Sequence, residues 1–184
     1  MKDERHQLLT AALDAYAREY PTCTSAPVVR RFVTEDPRWW DRENTRGHVT
    51  ASAWVIDPDD RSILLVHHRK LDRWLQPGGH LEDEQSIHAA AEREAREETG
   101  LTDLRWRTTN IFDLDIHTIP ERQGFPAHQH FDVRFLFEGS RLAPIQCSAE
   151  SKAVAWWSPE ELSTVTTDES VLRLARKTPW RRCA

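Results

Sequence analysis

The sequence predicts an α/β domain preceded by a helical N-terminal extension, and three observations lead there. The opening segment repeats apolar residues at helical spacing. Several later stretches have the β-branched, aliphatic or alternating character of strands. Between Ser86 and Gly100 lies a Glu- and Arg-rich helical pattern, IHAAAEREAREET. At 184 residues the chain suits one domain with additions, expected as an extension over 1–46 and a main domain over 47–184.

From about Glu4 to Tyr20, Leu8, Leu9, Ala12, Leu13 and Tyr16 share one helical face, and Pro21 ends the pattern. The stretch from Thr22 to Thr45 holds Pro27, Pro37, Trp39 and Trp40 without a sustained period, which predicts a connector packed by its aromatics. Strands are expected over His48–Ile56 and Ser62–His68, turned by Asp57, Pro58, Asp59 and Asp60. A turn-rich loop, QPGGHLEDEQS, then leads to the helix, with Ser86 as its N-cap and Gly100 just past its end. Ile111–His117 and His130–Phe137 alternate as a hairpin with a long loop. A short strand at Ala153–Trp157 and helical turns at Ser158–Leu162 and Asp168–Lys177 close the chain.

Hydrophobic residues make up 39% and charged residues 30%, which excludes fibrous and largely disordered classes. A net charge of −5 argues against a broad basic surface for nucleic-acid duplexes, so a phosphate would have to be met locally. Cys23, Cys147 and Cys183 are odd in number and form no CxxC pair, fitting neither a disulfide framework nor a zinc site; a reducing cytoplasm is the expected location. No apolar run has the length of a signal or membrane segment.

Glu94, Glu97 and Glu98 stand at i, i+3 and i+4, which places three carboxylates on one face within one helical turn. They repel one another, and the last turn adds a dipole penalty of roughly 0.3–1 kcal/mol for each. A divalent cation would reverse both effects; a solvated face neutralised by Arg93 and Arg96 is the plainer alternative.

The wider segment, GHLEDEQSIHAAAEREAREETGL, resembles the Nudix box. Gly79, Arg93, Glu94, Ala95, Glu97, Glu98, Gly100 and Leu101 match at the family's spacing, whereas Gln85 stands where the family has a glutamate. The flanking VHHRKLDRWLQPGG and AVAWWSPEEL are similar to the family's lead-in and closing segments, extending the resemblance over roughly Gly47 to Leu162. It implies an α-β-α sandwich with a mixed central sheet, and a hydrolase cleaving a diphosphate linkage in a small, nucleotide-linked substrate. Glu94, Glu97 and Glu98 inherit the metal-ligand role, with a carbonyl of Gly78 or Gly79 as a further candidate. Mg²⁺ suits such oxygen donors, and Mn²⁺ is a workable substitute. Gln85 implies weakened support of Arg93 that Glu82 or Glu84 could offset, and it keeps open a non-catalytic binding or regulatory module. An isomerase on the same fold ranks last, because no matching motif surrounds Cys147.

For the catalytic base the resemblance leaves Glu94 and Glu150, the latter on a loop ahead of the last strand. The polar side of the hairpin holds Asp113, Asp115 and His117 opposite His128, His130, Asp132 and Arg134. His128, His130 and Asp132 are candidates for substrate phosphates or a second metal, with a structural hydrogen-bonded network as the alternative. Arg69 is a further candidate phosphate contact, and Trp40 or Trp74 could stack on a base. Oligomeric state is open, with a homodimer among the expectations.

Overall fold

The structure is a computed structural model that describes residues 2–122 and 124–180. The Cys183 thiol considered above lies outside the described residues. Among the described residues five helices and eight strands follow in the order α1 (Lys2–Glu19), α2 (Ser25–Glu35), β1 (Gly47–Asp57), β2 (Ser62–His68), β3 (Arg73–Leu75), β4 (Gly78–His80), α3 (Ile87–Thr99), β5 (Arg105–Trp106), β6 (Asp113–Ile119), β7 (His128–Glu138), β8 (Ser151–Trp157), α4 (Leu162–Val165) and α5 (Glu169–Lys177). The sheet runs β3-β2-β1-β7-β5, with β4 on β1, β6 on β7 and β8 on β2. Chain contacts divide it into two units, each made of three stretches of the sequence.

The first unit comprises Met1–Ala51, Gly79–Ala91 and Thr109–Phe135. In α1 the buried positions are Arg5, Leu9, Leu13 and Tyr16, one stripe at helical spacing. Leu8, expected on that face, is exposed, and Arg5 occupies the stripe because its guanidinium donates to the carbonyls of Glu82 and Glu84 at 2.7 and 3.2 Å. The expected connector over 22–45 contains a helix, α2. Its Pro27 falls in the first turn, where a missing N–H costs no hydrogen bond, and Ala26, Val29 and Val33 bury a narrow i, i+3, i+7 stripe. Phe32 stacks on Phe131 with ring centroids 4.1 Å apart. Trp39 is buried as expected of this segment, and its carbonyl receives the Val49 N–H at 2.7 Å.

The β6–β7 hairpin forms as the alternation predicts, shifted by two residues along β6, with Asp113 opposite Arg134, Asp115 opposite Asp132 and His117 opposite His130. At the start of β1, Gly47 has φ +142°, and a Cβ there would lie 2.4 Å from the Gln129 carbonyl oxygen. Only glycine lets the backbone come this close beside His48.

The second unit comprises Ser52–Gly78, Glu92–Thr108 and Leu136–Ala184. Strand β2 is its centre, pairing antiparallel with β1, β3 and β8. Ile63, Leu64, Leu65 and Val66 are fully buried there, a continuous apolar run covered on both faces. The turn before β2 is built by Asp57, whose carboxylate accepts the N–H groups of Asp59 and Asp60 at 2.9 and 3.3 Å. At the C-terminus, Asp168 caps α5 by accepting the Ser170 N–H at 3.0 Å. The helical turn expected at Ser158–Leu162 is a hydrogen-bonded turn that Glu161 closes onto Ser158, and the helix itself begins at Leu162.

Candidate active site

Helix α3 begins where the sequence places it, with the Ser86 hydroxyl accepting the Ala89 N–H at 3.1 Å. It ends at Gly100, whose φ of +71° is the left-handed conformation of a helix C-terminus and whose N–H bonds the Arg96 carbonyl at 2.9 Å. These two ends fix which face the last turn presents.

The three glutamates on that turn occupy graded environments. Glu98 is buried, with 7% exposure, and its carboxylate accepts the Gly78 N–H at 3.0 Å. Burial pushes its carboxyl up to about 7 against the opposing pull of that hydrogen bond, and Glu94, Glu150 and Glu97 add like-charge repulsion. The Glu94 side chain is largely buried, and burial raises its carboxyl above the usual range, partly offset by Arg93. Glu97 is exposed at 58% of its side chain and pairs with Arg93 at 2.9 Å, which also meets Glu94 at 2.9 Å. Arg93 thus bridges two of the three carboxylates.

Glu150 lies on the exposed loop before β8, close enough to repel both Glu94 and Glu98. Arg69 holds this loop. Its guanidinium donates to the carbonyls of Ala149 and Ser151 at 3.0 and 2.9 Å, and its N–H donates to the Glu150 carbonyl at 3.0 Å. Arg69, a candidate phosphate contact from the sequence, clamps the backbone that carries Glu150.

Four carboxylates held this close, two of them raised by burial and mutual repulsion, fit a divalent cation on chemical grounds. Oxygen donors in that number suit a hard ion, and its charge would remove the penalty that Glu98 and Glu94 now bear.

Gln85 is exposed on the loop before α3, where Glu84 accepts the Glu82 N–H at 2.8 Å and Arg5 grips the loop carbonyls. Sequence reasoning missed Arg5, because an arginine in an amphipathic helix gives no sign of a partner so distant in the chain.

The His/Asp-rich side of the hairpin divides in two. Arg134, 2% exposed, meets Asp132 at 2.7 Å and Asp113 and Asp115 at 3.4 Å each, and Thr50 donates to Asp132 at 3.1 Å. Asp132 therefore sits in a buried ion-pair network. Beyond it the histidines gather: ring centroids of His130 lie 4.6 Å from His48, 5.2 Å from His128, and 5.4 Å from His80 and from His117. Burial and the neighbouring rings hold His130 well below the usual imidazole range and bring His48 down to about 4, so both are neutral at pH 7. His48 and His80 were read only as strand and loop residues.

Trp74 stacks on His67 at 5.0 Å, meets Trp157 edge-on, and lines a groove of about 700 Å³ with α4 and the segment leading to α5. Trp40 lies under the Arg5 guanidinium at 5.5 Å.

A sheet that feeds a Gly-Gly strand into a capped helix with three glutamates in its last turn defines the class. A family model described as the NUDIX domain matches residues 46–177, and the chain belongs to the Nudix family. Diphosphoinositol polyphosphate phosphohydrolase 2 of Mus musculus and of Homo sapiens are each 30% identical to it over 83 residues, 45% of this chain and 46% of theirs. The matched region thus spans less than half the length of those relatives. A NUDIX family hydrolase from Clostridium perfringens superimposes with a TM-score of 0.53 at 25% identity over 70% of this chain and 93% of that one. The binary complex of a C. elegans Ap4A hydrolase gives 0.54 at 19% identity over 70% and 93%, and shows likeness of fold. The expected mixed sheet with flanking helices is borne out. Among the described residues no helix is long and apolar enough to cross a membrane.

Proposed function

We propose that the chain is a metal-dependent pyrophosphohydrolase that cleaves the P–O–P linkage of a small, nucleotide-linked diphosphate. The observation that carries this reading is the last turn of α3, where Glu98 is buried with its carboxyl raised to about 7 and is repelled by Glu94, Glu97 and Glu150. A protein keeps such a cluster at a cost in stability unless a cation relieves it.

Glu94, Glu97 and Glu98 would hold Mg²⁺, with Mn²⁺ as a substitute. When bound, the ion would neutralise charge on the diphosphate and acidify a water for attack. Glu150 serves as base: a water oxygen forms a new bond to phosphorus, its proton passes to the Glu150 carboxylate, and the bridging P–O bond breaks with its oxygen leaving on the second phosphate product. Glu94 is the alternative base, disfavoured by its ion pair with Arg93. Arg69 fixes the position of Glu150 through the backbone of 149–151. Free thiols at Cys23 and Cys147 accord with a reducing compartment such as the cytoplasm.

A non-catalytic Nudix-fold binding module is the second reading, carried by Gln85 in place of the box glutamate. The test is incubation with Mg²⁺ and a panel of nucleoside diphosphate derivatives, dinucleoside polyphosphates and inositol pyrophosphates, followed by ³¹P NMR. Mg²⁺-dependent loss of the diphosphate signal for at least one nucleotide is expected. Turnover of none, with ligands bound intact, establishes the module instead.

A further inference from the structure

We propose that His48, His128 and His130 form a binding site for one borderline transition-metal cation, Zn²⁺ or a close substitute, separate in chemistry from the carboxylate site. A ligand nitrogen from each of the three imidazoles lies within 4.8 Å of the others. Tetrahedral Zn–N bonds of about 2.0–2.1 Å place ligand nitrogens roughly 3.3 Å apart. Closing the gap takes ring movements of ~1 Å or less, within the reach of side-chain rotation.

The state of the individual rings argues for a ligand. His48 is 1% exposed, and neither of its nitrogens makes a well-formed hydrogen bond among the described residues, although the Asn44 backbone lies near it. With at most one nitrogen in a poorly aligned contact to the Asn44 backbone, this buried imidazole gives up most of its hydration and keeps a lone pair for a ligand. His128 is poised differently. Its Nδ1 is 2.9 Å from the Pro126 carbonyl, a contact in which Nδ1–H donates and the Nε2 lone pair is left available. Orientation of a metal-binding histidine by a carbonyl on its other nitrogen is the usual supporting arrangement.

The surroundings select the metal. Three nitrogen donors suit Zn²⁺, Co²⁺ or Ni²⁺ far better than Mg²⁺, which takes oxygen. His80, with its ring centroid 5.0 Å from that of His48, and His117, 3.3 Å from the Asp115 carboxylate through Nδ1, stand next to the cluster. A purely structural cluster of five imidazoles would be expected to satisfy both nitrogens of its most buried member, and His48 has at most a poorly aligned contact to the Asn44 backbone. The metal would tie the start of β1 to the start of β7, where Gly47 already brings the two backbones together.

The test uses the full chain stripped of metal by chelation, then titrated with Zn²⁺ against a chromogenic chelator in a large excess of Mg²⁺, with bound metal counted by elemental analysis. One tightly held Zn²⁺ per chain is expected, retained in the Glu97→Gln/Glu98→Gln double variant, and replaceable by Co²⁺ with the visible bands of a nitrogen-rich tetrahedral site. His128→Gln and His130→Gln should each weaken Zn²⁺ by about 100-fold or more. Both rings are only partly buried, so each variant should retain the far-UV circular dichroism of the metal-free parent; should His130→Gln unfold, His128→Gln decides alone. Absence of tight Zn²⁺ under Mg²⁺, or Zn²⁺ that follows the glutamates and ignores the histidines, overturns the proposal. Neither result bears on the role of the glutamates in hydrolysis.

Discussion

Glu98→Gln should make the metal-free protein more stable at alkaline pH, by an amount that the structure sets. The carboxyl titrates near 4.5 in the unfolded chain and near 7 in the folded one, because burial and three neighbouring carboxylates disfavour its charge. A raised carboxyl means that the folded state binds the proton more tightly. No penalty exists below pH 4.5, it grows as pH rises, and it is complete above pH 7. The rise from 4.5 to about 7, at 1.36 kcal/mol for each tenfold gain in proton affinity, gives a penalty of about 3 kcal/mol. Glutamine carries no charge and keeps an oxygen to accept the Gly78 N–H, so the variant escapes the penalty while preserving the contact. Thermal unfolding in chelator between pH 4 and pH 8.5 measures it. The Tm of the variant should exceed that of the parent by ~6–12 °C at pH 8 and converge with it at pH 4. Adding Mg²⁺ at pH 8 should raise the parent and move the variant much less. A Tm difference independent of pH would refute the buried, charge-penalised Glu98 on which the proposed metal site rests.

Two further outcomes follow from neighbouring geometry. Arg69→Ala frees the 149–151 backbone, so kcat should fall by about 10- to 100-fold with KM little changed, measured under steady-state conditions; a rise in KM alone would return Arg69 to the phosphate contact expected from sequence. Arg134→Leu leaves Asp113 and Asp132 buried without their cation and should cost roughly 3–5 kcal/mol in urea unfolding, whereas a loss under ~1 kcal/mol would show the network to be dispensable.

The parts legible in the sequence were those written in local spacing. The caps of α3 at Ser86 and Gly100, the i, i+3, i+4 glutamates and the alternation of β6 and β7 each follow from backbone periodicity, and the structure carries them. Helix α2 was missed because Pro27 and a three-residue apolar stripe leave too short a pattern to read, and its Phe32 acquires meaning only against Phe131. The clamp of Arg69 on the Glu150 loop, the grip of Arg5 on residues 82 and 84, and the convergence of His48 with His128 and His130 join segments far apart in the chain. No periodicity encodes such pairings. The polar hairpin face shows the same limit: its residue types were visible, but the buried Arg134 that gathers three aspartates was not separable from the histidines beside it.

The central claim, that the carboxylates of α3 hold the metal on which hydrolysis depends, is tested most directly by the kcat of Glu97→Gln and of Glu98→Gln at saturating Mg²⁺ on the nucleotide substrate found by the ³¹P panel. Loss of one charged ligand is worth several kcal/mol of transition-state stabilisation, so each variant should fall about a thousandfold while remaining folded. Activity within tenfold of the parent in either variant would contradict the account.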